Sequence, residues 1–160
     1  MKTALRHAAV TVAMLAACAC GNGEGPASAV TGLAEALADS DYVTAWSLLT
    51  PESQAWYDST VLILRHFGYV EAGPALERLA GGMTEEEFAG LTGQELFVRM
   101  TSASEAARRM STSIRSVEYV DSAFAIVVVR TSRGPQEIPV RLTPAGWAVD
   151  IAGLVPPPEE

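Results

Sequence analysis

The stretch "AFAIVVVRTSRGPQEIPVRLTPAGWAVDI", residues 123–151, decides the fold class. Its apolar residues recur at every second position. Within 136–143, Ile138, Val140 and Leu142 face one way and Glu137, Pro139 and Arg141 the other; within 147–151, Trp147, Val149 and Ile151 oppose Ala148 and Asp150. A period of two belongs to strands with one dry and one wet face, which places Asp150 on the wetter side as a solvated carboxylate. The run "FAIVVV" is apolar on both faces and so predicts a central strand. Pro139 lacks an N–H and must sit where the ladder needs no donor. "TPAG" (143–146) is a turn, with Pro144 at its second position and Gly146 at its fourth. With "STSIRSVEYVD" (111–121) in front, four strands follow one another at 111–121, 123–132, 136–143 and 147–151, an antiparallel meander.

Upstream the period is helical. In "SAVTGLAEALADSDYVTAWSLLT" (28–50), Val30, Leu33 and Leu37, then Tyr42, Val43, Trp46 and Leu49, recur at three- and four-residue spacing on either side of the polar break "DSD". Thr50, Pro51 and Glu52 supply an N-cap, a proline at the first helical position and a first-turn acid. The helix they start ends at Gly68, and its expected apolar face is Trp56, Thr60, Ile63 and Phe67, opposite Gln54, Asp58 and Arg65. His66 falls at the edge of that stripe as a boundary residue. "TEEE" (84–87) and "TGQE" (92–95) both have the form of a capping box. The acids 85–87 fit a first helical turn better than a calcium site, because three adjacent residues point in different directions. Arg108 and Arg109 suit a last turn on the same electrostatic ground.

Helices first and a meander after predict an α+β domain over 29–153, with helices covering one face of the sheet. "ALADSDYVTAWSLLTP" (36–51) and the terminal "GWAVDI" (146–151) together resemble the nuclear transport factor 2-like superfamily, particularly its small bacterial lipoproteins and secreted members. The resemblance covers roughly 30–58 and 112–151, and the stretch 68–110 reads as a helical insertion. It implies a curved sheet wrapped round helices, with a cavity between them. Trp46, Trp56, Tyr57, Tyr119 and Trp147 are the candidate cavity-lining residues. Some relatives set an acid–base pair in that cavity for isomerase or dehydratase chemistry, but none of their catalytic positions aligns with a residue here.

The amino terminus carries an address. Lys2 and Arg6 precede "AAVTVAMLAA" (8–17), an apolar run of signal-peptide length and shorter than the ~20 residues a membrane span takes. It runs into Leu15, Ala16, Ala17 and Cys18, which resemble the bacterial lipobox in all four positions. The resemblance implies cleavage before Cys18, a diacylglyceryl thioether on its sulfur and an acyl chain on its new amino group. A zinc site needs about four ligands, whereas beyond Cys18 and Cys20 the processed chain offers only His66. A redox pair reads C-x-x-C rather than C-x-C. Cys20 is left as an unpaired thiol in the tether or a point of intermolecular pairing. The stretch 18–28 is a Gly-rich tether, and 154–160 is an extended Pro/Glu tail.

The formal charge is −8; without residues 1–17, nine basic residues, all Arg, face nineteen acids, giving −10. Such a surface repels nucleic-acid phosphates and anionic headgroups, so attachment to a membrane falls to the lipid. In enterobacteria-like lipoproteins, an Ala such as Ala19 rather than an Asp after the lipobox cysteine implies sorting to the outer membrane, here facing the periplasm. No phosphate loop, nucleophile elbow or metal-spaced ligand set is present. The expectation is a non-enzymatic, lipid-anchored envelope domain without metal or cofactor, binding a small apolar ligand or a protein partner. The alternatives are a self-associating module forming a homodimer, or an enzyme with a buried acid–base group.

Overall fold

The computed structural model describes residues 25–110 and 112–152. The lipobox, both cysteines and the Pro/Glu tail lie outside the described residues. Seven helical segments precede one sheet: α1 Pro26–Ala38, α2 Tyr42–Ser47, α3 Pro51–Phe67, α4 Tyr69–Ala80, α5 Glu85–Gly90, α6 Gly93–Ala103 and α7 Glu105–Arg108, then β1 Ile114–Tyr119, β2 Phe124–Thr131, β3 Gly134–Thr143 and β4 Gly146–Val149. The strands pair in sequence order and antiparallel, as their alternation and short turns predict.

α1 is the central helix. A proline in its first turn suits the helical φ and forfeits no bond, and the helix starts inside the end of the Gly-rich stretch. Val30, Leu33 and Leu37 are buried as their spacing predicts, and α1 packs against all four strands. It ends where Ser40 takes a left-handed φ of 59°. The Asp41 carboxylate then accepts from the Thr44 N–H at 3.1 Å and opens α2. After α2 the chain runs briefly beside β4: the Val149 N–H donates to Leu48 O at 2.8 Å and the Thr50 N–H to Val149 O at 3.0 Å. This parallel rung covers the β4 edge, where unpaired backbone groups would otherwise be open to another chain.

Thr50 caps α3 by accepting from the Ser53 N–H at 3.1 Å, and the helix stops at Gly68, whose φ is 84°. The expected apolar face of α3 is corrected. Its buried residues are Ser53, Tyr57 and Val61, with Leu64 packed on the core, while Ile63 and Phe67 are 58% and 60% exposed. The helix carries two adjacent apolar stripes, and α6 packs on the one containing Tyr57. Both capping boxes are formed, Thr84 with Glu87 and Thr92 with Glu95. Arg65, read as a polar-face residue, donates to Leu91 O at 2.7 Å and Ala89 O at 3.0 Å, satisfying carbonyls at the end of α5.

On the covered sheet face Val127, Val129, Ile138, Val140 and Val149 are buried. Leu142, expected among them, is 48% exposed because the helices do not extend over that end of the face. The apolar β2 is an interior strand, as expected. Pro139 accepts from the Asp150 N–H at 2.9 Å but has no N–H to return a bond, and β4 ends one residue before this point.

Candidate functional site

Between α1, α3, α6 and the sheet lies a cavity of about 600 Å³, within the roughly 300–1,000 Å³ usual for small-molecule sites. Its wall is apolar: Leu33 and Leu37 from α1, Leu49, Phe97 from α6, Ile138 from β3 and Val149 from β4, all buried. Glu105, Arg109, Arg133 and Gln136 also border it and are exposed, so the cavity opens to solvent beside α7 and the β2–β3 turn. A second hollow of about 540 Å³ lies along α4 and the glycines after it; Tyr69 closes part of it by donating to Met83 O at 2.7 Å.

Tyr57 is the wall residue with chemistry. It is only 6% exposed. Its ring stands edge-on to Trp56 and Phe97, with centroids 5.0 and 5.5 Å away, and tilted to Trp46 at 5.8 Å. This aromatic packing fixes the phenol, whose O–H has no hydrogen-bond partner among the described residues. Burial pushes its pKa up to about 12, because the phenolate would lose its hydration. The group is therefore a neutral donor and acceptor at physiological pH. Of the other lining hydroxyls, Thr101 is committed to Phe97 O at 2.6 Å and Thr131 to Gly134 O at 2.7 Å, while Ser132 lies on the exposed β2–β3 turn.

The five aromatic candidates occupy different places. Tyr57 lines the cavity. Trp46 packs against Tyr57 and Phe97, and Trp56 against Tyr57. Tyr119 and Trp147 meet each other, rings T-shaped at 6.1 Å, on the open end of the sheet face. The lipid-attachment residue Cys18 and its flank Leu15–Ala17 lie outside the described residues.

The placement of Asp150 is corrected. Alternation puts it opposite Trp147 and Val149, as read, but it is 4% exposed and not solvated. The first turn of α3 packs over this end of the sheet. Asp150 pairs with Arg141 at 2.6 Å and accepts from the Ser53 hydroxyl at 3.4 Å. Ser53 Oγ in turn accepts from the Ile151 N–H at 2.9 Å and the Thr50 hydroxyl at 2.9 Å. The Arg141 guanidinium stacks 4.6 Å from the Phe124 centroid. These contacts form a latch between α3 and the end of β4, and Asp150 is not among the cavity-lining residues. Sequence reasoning missed it because Ser53 and Asp150 are 97 residues apart.

Glu87 of α5 is likewise structural. Glu87 accepts from the Thr84 N–H at 2.7 Å and pairs with Arg99 at 2.7 Å, and these contacts hold its carboxyl below the usual range. Arg109 pairs with Glu105 at 2.7 Å. His66 is exposed at the end of α3. Among the described residues no three His, Cys, Asp or Glu side chains gather as a metal site, and no helix is long and apolar enough to cross a membrane. Compared with protein-family models, curated proteins and solved structures, the chain finds no match.

Proposed function

We propose that this is a lipid-anchored cell-envelope protein whose domain holds a small apolar ligand between helices and sheet and performs no chemistry on it. The observation that carries the proposal is the apolar cavity of about 600 Å³ with the unpartnered Tyr57 hydroxyl in its wall. No buried side-chain nitrogen or oxygen among the described residues lacks a partner, so this hydroxyl is reached from the cavity, where a ligand oxygen or water can bond it. What supports the non-enzymatic reading is the deep wall, where the Tyr57 phenol stands among Leu33, Phe97, Ile138 and Val149. The domain is assigned to the nuclear transport factor 2-like type. Helices packed on one face of a four-stranded meander support this, as does the contact of Tyr119 with Trp147 across the two strands between them.

The anchor rests on Leu15–Cys18, and Ala19 favours the outer membrane, facing the periplasm. Native mass spectrometry of the protein extracted gently from its envelope tests both parts. The expected species starts at Cys18, carries acyl mass and holds a small non-covalent adduct. Normal cleavage and membrane retention of Cys18→Ser would overturn the anchor. A second reading, a homodimer, is favoured by the exposed apolar residues Tyr119 and Leu142 beside Trp147. A lipidated dimer without adduct would move the function from the cavity to that surface.

A further inference from the structure

Three charged side chains border the cavity, Glu105, Arg109 and Arg133. The first pair neutralise each other at 2.7 Å, whereas Arg133 makes no ion pair among the described residues. The β2–β3 turn holds its backbone: the Arg133 N–H donates to the Thr131 hydroxyl at 3.2 Å, and that hydroxyl donates to Gly134 O at 2.7 Å. In a chain of net charge −8, this rim carries a local positive excess. A guanidinium pairs with carboxylates through two parallel N–H donors. Arg109 also keeps donors beyond the one it spends on Glu105.

The deep wall has the opposite character. Leu33, Phe97, Ile138 and Val149 are buried there, and Tyr57 supplies a buried-wall hydroxyl without a partner among the described residues. A single phenol cannot replace the hydration of an ionised group, and an unpaired buried charge is prohibitively expensive. An ionised group therefore belongs at the rim, with the apolar body inside.

We infer that the cavity takes an amphipathic anion of the carboxylate class, its head on Arg133 at the rim and its apolar chain running inward to Tyr57 and Phe97. This rests on the cavity being the binding site. Amphipathic cations are disfavoured at the same rim, and neutral molecules of equal length lose the charge-assisted hydrogen bonds.

The test uses the full chain in phosphatidylcholine vesicles at pH 7.4, with 10-bromodecanoate and 10-bromodecanol as probes and tryptophan fluorescence as readout. Bromine quenches at short range without needing direct contact, and Trp46 stands just behind the wall, 5.5 Å from the Phe97 ring and 5.8 Å from Tyr57, centroid to centroid. A bromine on the chain end reaches that region only when the head stays outside. The expected result is saturable quenching by the carboxylate at a free concentration about tenfold below that of the alcohol, the scale of one charge-assisted hydrogen bond. Arg133→Gln, an exposed turn substitution, is expected to abolish that preference by raising the carboxylate's half-saturation about tenfold, to that of the alcohol. Equal quenching by the two probes in the native chain overturns the anionic head but leaves an apolar-ligand cavity standing. A preference that survives Arg133→Gln and disappears in Tyr57→Phe overturns the orientation. Absence of saturable quenching by either probe overturns the cavity as a binding site, and this inference with it.

Discussion

Removing the Asp150 carboxylate strands the Arg141 guanidinium and the Ser53 hydroxyl at the junction of α3 and β4. Arg141 is about half exposed, so water recovers part of the loss. Asp150→Ala is expected to cost about 1–3 kcal/mol, read as a lower urea midpoint at unchanged slope. An unchanged midpoint would show that the latch contributes nothing. Tyr57 makes a prediction in pH. Its folded-state pKa of about 12 exceeds the ordinary tyrosine value of 10.0. The folded chain thus binds the proton more tightly than the unfolded one, and stability falls as pH rises from 10 to 12. About 2–3 kcal/mol is at stake. Tyr57→Phe is expected to flatten that part of the stability profile relative to the native chain, and an identical profile in the variant would refute the assignment.

Helix α6 shows how one residue sets the approach of two elements. Thr92 accepts from the Glu95 N–H at 3.2 Å, and Glu95 returns the contact to the Thr92 N–H at 2.8 Å. Loss of this cap in Thr92→Ala is expected to cost about 1 kcal/mol. The next residue, Gly93, packs directly on α3: a Cβ there would stand 2.7 Å from the Asp58 backbone nitrogen and overlap its carboxylate. Alanine in place of a helical glycine ordinarily stabilises by up to about 1 kcal/mol. Here the clash reverses the sign, and Gly93→Ala is expected to destabilise by about 1–3 kcal/mol. A raised melting temperature in this variant would mean that α3 and α6 do not approach so closely.

At the scale of the whole molecule, α1 ties helices and sheet into one unit because it packs on all four strands and on α2 and α7. Helical circular dichroism and tryptophan fluorescence are therefore expected to report one denaturation midpoint. Two separated transitions would show the helical layer and the sheet to be independent. Leu33→Ala, in the helix that also walls the cavity, is expected to lower that common midpoint by about 2–5 kcal/mol of stability.

The meander and its order, the break at Asp39–Asp41, the start of α3 at Thr50 and both capping boxes were legible in the sequence. Each depends on interactions within a few residues: alternation across a pleat, a side chain reaching its own helix end, a turn demanding Pro or Gly. Tertiary structure alone decided the rest. Neighbouring Trp56 and Tyr57 stand on two apolar stripes of α3, and α6 selected the one that carries Tyr57. Alternation placed Asp150 on the correct face, but only the arrival of Ser53 from another element buried it. The cavity wall joins Leu33, Tyr57, Phe97 and Ile138 from four separate elements. Local patterning determines which elements form and which face is apolar; which stripe is covered, which carboxylate is enclosed and where space remains follow from packing between distant segments.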